Sequence, residues 1–314
     1  MRWLRPPLLV LVALTALITV PARAQFRTEG VDMQSHVNGV MSLMTLTVAP
    51  DVTTSSLSIT NSQSQNPGIW MTQFGGGFTW SRETPLYLEG NAAYSRYDPV
   101  FVASDGTEQR VLPARWNTVT ATGGIGWDFP ISEHWVVRPI FNFTLGYVAS
   151  DLRVAKFFVE SNTELDLDFI DGGRLNAYGL GGSLMLDYES FSPEQDLDLE
   201  IRYTDVELRS YGSSNEAVQG SASAQSVGLW ARRRAPTGMT ALQRPVRYVL
   251  EYAHTRFLGP DAGVLGFNQL NSVGAGFELD SSAYDVWATR WRAVLRYKFG
   301  PNVTGWSLGL ALSF

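Results

Sequence analysis

Cysteine is absent from all 314 residues. Disulfide frameworks, thiolate metal sites and a catalytic thiol are therefore excluded. Histidine is almost as scarce: His36, His134 and His254 are the only 3, no two of them close in sequence. His254 is followed by Thr255 and Arg256 with no serine at hand, so a nucleophile and its base are not visible, and a surface histidine is the plainer reading. Beyond the first two dozen residues no apolar run reaches eighteen, which excludes a second membrane helix. Zinc-finger spacing, a Walker loop and a basic tail are missing as well.

What is present begins with a basic start, "MRWLRPP", an apolar stretch, "LLVLVALTALITV", and a small-x-small site, "PARA". Together they read as a secretory signal over residues 1–24, cut after Ala24. Cleavage removes Arg2, Arg5 and Arg23, so the formal charge moves from -6 to -6 - 3 = -9. An acidic mature chain without a basic tail argues against a nucleic-acid partner. No cofactor motif is found.

The mature chain is rich in glycine and aromatics and alternates with a period of two. In "WVVRPIFNFTLGY", Trp135, Val137, Pro139, Phe141, Phe143, Leu145 and Tyr147 share one side, with Arg138, Asn142, Thr144 and Gly146 opposite. In "DLDLEIRY", Leu197, Leu199, Ile201 and Tyr203 alternate with Asp196, Asp198, Glu200 and Arg202, a charge density that demands water on that side. In "WATRWRAVLRYKF" an apolar face from Trp287 to Phe299 opposes Arg290, Arg292, Arg296 and Lys298. The final "TGWSLGLALSF" puts Trp306, Leu308, Leu310, Leu312 and Phe314 on one face and small residues on the other.

One such strand fits a soluble sandwich as well as anything else, but the series does not. About twelve strands are legible, near residues 52–61, 68–80, 85–97, 114–128, 134–150, 174–188, 196–210, 221–234, 245–257, 269–280, 284–299 and 303–314. Connections after the even strands are brief ("SRET", "FPISEH", "SFSPEQ", "SSA"), apart from the moderate turn "APTGMTALQ". Those after the odd strands are mostly long, as in "DPVFVASDGTEQRVLP" and "DLRVAKFFVESNTELDLDFIDGG", with the short "GPN" as an exception. Short turns on one side and long loops on the other describe an all-β, transmembrane, antiparallel up-and-down barrel, with no break to mark a second domain. Trp80, Trp127, Trp135, Tyr188, Tyr248, Tyr252 and Tyr297 are candidates for its aromatic girdles.

The stretches "LEGNAAYSRYDPVFVASDGTEQRVLPARWN", "GIGWDFPISE", "LDFIDGGRLNAYGLGGSLMLDYE", "RPVRYVLEYAHTRFLG" and "ELDSSAYDVWATRWRAVLRYKFG" resemble the solitary outer-membrane autotransporter-type β-barrel proteins of Gram-negative bacteria. The resemblance runs from about Gly68 to Phe314. It implies a non-enzymatic translocator barrel in the outer membrane, standing alone without a large passenger and surrounded by lipid and lipopolysaccharide. The closing aromatic strand, Trp306, Leu308, Leu310, Leu312 and Phe314, resembles the signal by which barrel assembly machinery recognises its clients.

Residues 25–50 are then a leader ahead of a barrel over 51–314, too short for an exported effector domain. Within the leader "VDMQSHVNGVMSLMTL" spaces Val37, Val40, Met41 and Met44 as on a helix, with Asp32 as a possible cap. In autotransporter barrels a helix threads the lumen, and this segment is the candidate; a loose leader or an extra strand over 40–48 are the alternatives. The inward charges expected in the lumen are Glu89, Arg138, Asp198, Glu200, Arg202, Arg247, Glu251, Arg290, Arg292, Arg296 and Lys298. They can tune a pore or form a salt-bridged network that closes it. Asp166, Asp168 and Asp171, with Glu164, outline a loop only superficially like a calcium site, since the spacing departs from the EF-hand pattern. No metal is expected there.

Overall fold

The computed structural model describes residues 41, 44–48, 54–59, 68–98, 100–104, 109–113, 116–150, 174–211, 220–263, 266–281, 289–301 and 303–313. Fifteen strands follow in order: β1 (Thr54–Ile59), β2 (Gly68–Thr79), β3 (Leu86–Asp98), β4 (Val100–Ser104), β5 (Gln109–Pro113), β6 (Trp116–Trp127), β7 (Phe129–Pro130), β8 (Trp135–Ser150), β9 (Arg174–Phe191), β10 (Asp196–Tyr211), β11 (Ser221–Ala241), β12 (Arg244–Leu258), β13 (Gln269–Asp280), β14 (Arg290–Gly300) and β15 (Val303–Ser313). The β4–β5 hairpin stands apart from the main sheet, between β3 and β6. The two-residue β7 only continues the pairing of β8.

The other twelve form a ring. Each pairs antiparallel with the next, β6 meets β8, and β1 meets β15, with Thr54 opposite Leu310 and Ile59 opposite Gly305. The sheet therefore closes on itself, and closure removes the edges that an open sheet would expose.

Alternation decides which way each residue points. Along β6 buried and exposed residues alternate from Thr118 to Trp127. On the exposed side stand Phe74, Val119, Phe141, Leu145, Leu184, Leu250, Phe277, Leu295, Leu308 and Leu310, and on the buried side Gln73, Glu89, Asn91, Thr120, Thr122, Asn142, Thr144, Ser183, Thr204, Arg292 and Arg296. A soluble barrel would bury the apolar set; this one turns it outward and keeps its charge within. Such an inversion is stable only where the outer wall meets hydrocarbon. The 11 residues of β14, at about 3.3 Å each and tilted by roughly 40°, are long enough for a ~25 Å apolar band.

Three features depart from the sequence expectation. The moderate turn read at "APTGMTALQ" is strand: β11 continues to Ala241, and only Leu242 and Gln243, at φ 51° and 58°, make the reversal to β12. A register shift between Pro236 and Thr240 disguises the continuation, because it interrupts the two-residue period. Tyr188 lies on the outward side but is only 1% exposed. Trp135 and His134 cover it edge-on, at ring-centroid distances of 4.7 and 5.6 Å. Finally, β14 begins at Arg290, and Trp287 lies outside the described residues.

Short turns are held by their own side chains. Ser192 donates to the carbonyl of Gln195 and accepts from its amide at 2.9 and 3.1 Å. Thr84 N donates to Ser81 Oγ at 2.9 Å. These turns mark the end of the barrel called the short-turn side below; the opposite end carries the β4–β5 hairpin and the loops between β8 and β9 and between β10 and β11.

Candidate functional site

Among the described residues the lumen gathers chemistry from many strands, and it divides into two layers. Toward the long-loop end, Val148, Leu175, Ala177, Val206, Leu208, Ala222 and Ala224 form an apolar sleeve, with Trp116 packed against it. Met41, Met44 and Val48 sit inside that sleeve, each no more than 1% exposed. Met41, Met44 and Thr45 are helical. Thr47 ties the segment to the wall: its hydroxyl lies 2.7 Å from that of Thr120, and its carbonyl accepts from Asn91 Nδ2 at 2.5 Å. The fit is close enough that a side chain at Gly146 would collide with the methyl of Met44. Asp32, His36, Val37 and Val40 lie outside the described residues, as does the signal segment.

Below the sleeve the lumen is crossed by charge. Arg202 on β10 makes two hydrogen bonds to Glu89 on β3, at 2.7 and 2.9 Å. Asn142 and Ser183 extend the cluster, Asn142 donating to Glu89 at 2.7 Å and Ser183 donating to Asn142 at 2.6 Å. A side chain at Gly124 would strike the Glu89 stem. That glycine gives the carboxylate its room.

Nearer the short turns a larger lattice assembles. Asp198 accepts from Arg232 and Arg234 at 2.9 and 3.2 Å, and Glu278 accepts from Arg292 and Arg234 at 2.6 and 3.3 Å. Asp196 is shared by Arg247 at 2.7 Å and by Arg234 and Arg290 at 3.5 Å. Arg296 pairs with Glu251 at 2.7 Å. On the opposite wall Arg138 bonds Asp128, reaches Asp187 at 3.1 Å and lies 4.0 Å over the ring of Tyr87. Most of these groups are buried, a state that charge tolerates only when paired.

The eleven charges expected in the lumen occupy different places in this scheme. Glu89, Arg138, Asp198, Arg202, Glu251, Arg292 and Arg296 are buried and paired; Arg247 and Arg290 are half-buried and share Asp196. Glu200 and Lys298 are half-buried. The sequence reading missed Asp128, Asp187, Arg232, Arg234 and Glu278, and passed over Asp196 as a partner. "ARRRA" carried a signal for two of them, since alternation turns Arg232 and Arg234 inward and Arg233 outward.

Trp306, Leu308 and Leu310 face outward and are exposed; Phe314 lies outside the described residues, as do Asp166, Asp168 and Asp171. Among the described residues no group of three or more potential ligands is placed to hold a metal ion. His254 Nδ1 donates to Asn271 Oδ1 at 2.8 Å on the outer side, and His134 packs on Tyr188 in a short turn. Neither faces a serine in these contacts.

No family model matches the chain, and no curated protein does. Several solved structures are similar to it. The β domain of the Bordetella autotransporter BrkA is 15% identical, with 83% of this chain and 97% of that one covered and a TM-score of 0.47. The translocator domain of the autotransporter NalP from Neisseria meningitidis is 11% identical, with coverages of 83% and 87% and a TM-score of 0.45. The transport unit of the autotransporter AIDA-I from Escherichia coli is 12% identical, with coverages of 88% and 99% and a TM-score of 0.44.

Proposed function

We propose that this chain is a non-enzymatic, autotransporter-like barrel of the bacterial outer membrane, acting as a translocator or structural membrane protein, with its own leader lodged in the lumen. The observation that carries the reading is the inverted wall together with its occupant: large apolar side chains outside, paired charge inside, and Met41, Met44 and Val48 packed within the sleeve. The outer membrane is favoured because closed barrels of this kind, with short turns on one side and long loops on the other, are its characteristic spanning structure. Lipid and lipopolysaccharide would then surround the wall. The outward side chains of β15, Trp306, Leu308 and Leu310, would form part of the signal read by the barrel assembly machinery.

The paired lumen supports closure over conduction. A permeation pathway needs charged groups that remain free to meet a solute, whereas Glu89, Glu251 and Glu278 are already engaged by arginine. Fractionation of cells and planar-bilayer recording of the refolded full chain test the proposal together. The expected result is protein in the outer-membrane fraction that gives no steady conductance. Soluble periplasmic protein would overturn the membrane assignment. Stable, ion-selective steps that change with Arg290, Arg292 and Arg296 would instead make it a small-solute diffusion channel.

A further inference from the structure

We infer that this chain pairs with a second copy of itself through the outward face of β10, β11 and β12, with Asp205 of each copy meeting Arg256 of the other. The inference goes beyond the proposed function and rests on its reading of the barrel as membrane-spanning.

One stretch of the outer wall breaks the apolar rule. Register and alternation place Asp205, Gln225, His254, Arg256 and Asn271 outward, where neighbouring β8 and β9 present Phe143 and Leu180. Their depth follows from the slope of the ladder. The row of paired residues that leaves Phe78, beside the short turn after β2, passes Ile125, Phe141 and Asp205 and ends on Leu258 at the long-loop end of β12. With strands ~4.8 Å apart and tilted by roughly 40°, each step along a row climbs about 3 Å and each residue along a strand rises about 2.5 Å. The row through Phe143 and Leu180 reaches Glu207 two steps higher, so Asp205, two residues back down β10, is level with Phe143. Tyr147, at the top of the β8 wall, stands about 10 Å above that level, which puts Asp205 inside the apolar band. Arg256, two residues below Leu258, comes to the same height as Asp205.

Most of this polar stretch is satisfied within the wall. Gln225 Nε2 donates to Asp205 at 3.2 Å, the Tyr203 hydroxyl reaches the same carboxylate at 3.3 Å, and Asn271, bonded to His254, donates to the Phe299 carbonyl at 3.3 Å. Two charges are left over. Among the described residues Asp205 has no cation beside it, and exposed Arg256 has neither a hydrogen bond nor an ion pair. Unpaired ions on a hydrocarbon-facing wall are costly, and they mark a surface with a use.

Asp205 and Arg256 flank β11, one strand to either side. A twofold axis along the membrane normal and through β11 keeps every height and exchanges left for right. It therefore sets β10 of one copy against β12 of the other, and Asp205 meets Arg256 twice at equal depth, as an isologous interface requires. On the axis itself stand Val227, Leu229 and Ala231, side chains of modest size that let two walls approach. Opposite charges matched in height and mirrored about one strand fit a second copy of this chain better than lipid, which offers Arg256 no anion at that depth.

Since the chain has no cysteine, Val227→Cys is a single probe on the axis. With the refolded full chain in liposomes at a high lipid-to-protein ratio, copper-phenanthroline oxidation should link Val227→Cys to its counterpart in a second copy. Phe74→Cys, 68% exposed on β2 six strands away, should stay unlinked. Adding Asp205→Arg or Arg256→Asp to the Val227→Cys chain should lower the linked yield by at least about tenfold, because like charges then face each other across the contact. Combining the two exchanges should restore it. Arg256→Gln, a milder change, should also lower the yield, and heat-dependent gel migration reports whether each variant folds.

Equal linking at Phe74→Cys and Val227→Cys, an Arg256→Gln yield unchanged from its parent, or a folded double exchange that fails to recover would each overturn the inference. Failure of the membrane reading itself would look different: Leu295→Cys on the outer wall would react with a charged, membrane-impermeant thiol reagent in intact liposomes.

Discussion

Arg202 shows what a single residue contributes to such a lumen. Its side chain is 7% exposed and that of Glu89 is fully buried at 0%, so truncating the arginine leaves an ionised carboxylate without its main partner. Arg202→Ala should lower stability by about 3–5 kcal/mol, the range for breaking a buried pair from one side. Adding Glu89→Gln, which removes the stranded charge and leaves an amide able to bond Asn142, should restore a large part of that loss. Equilibrium urea unfolding of the refolded protein in lipid measures both; a double variant no more stable than Arg202→Ala would refute the coupling. Inward direction was legible for both residues, because each stands at the right parity in an alternating strand. Their partnership was not. They lie 113 positions apart, and which strands face each other depends on ring closure, which no local pattern encodes.

At the scale of elements, alternation and turn composition located all twelve barrel strands, and the largest displacement teaches most. β11 runs to Ala241 because its irregularity at Pro236–Thr240 is absorbed as a register shift. The two-residue reversal then asks Leu242 and Gln243 for positive φ, a conformation that Asn and Gly adopt more cheaply and whose twist suits a hairpin. Leu242→Asn with Gln243→Gly should therefore raise stability by about 1 kcal/mol, seen as a higher urea midpoint with an unchanged slope; a lower midpoint would show that exposed Leu242 makes contacts that matter. The outer wall makes the opposite demand. Leu295, 55% exposed near the middle of β14, should tolerate Ala or Val, whereas Leu295→Arg should cost about 2–4 kcal/mol, the penalty for a cation near the midplane. The same change at the strand end, Phe299→Arg, should cost about 0–1 kcal/mol. Equal penalties at the two depths would argue against a hydrocarbon-facing wall.

For the whole molecule, composition and architecture explain each other. A closed ring removes exposed edges without disulfides, which removes one demand for cysteine. Its polar surface is turned inward, where a twelve-strand lumen is narrow enough for arginines on one wall to reach carboxylates on another. Salt separates this arrangement from a water-filled pore. Ion pairs that line an aqueous channel weaken as the Debye length falls to about 3 Å at 1 M ionic strength, but pairs buried from solvent are screened far less. Arg292 and Glu278, whose side chains are 5% and 1% exposed, belong to the buried kind. Raising potassium chloride from 0.1 to 1 M, about a threefold change in screening length, should leave the bilayer current of the full chain at baseline. Steps appearing only at the higher concentration would mean that water already reaches the lattice and that its charges face a conducting path.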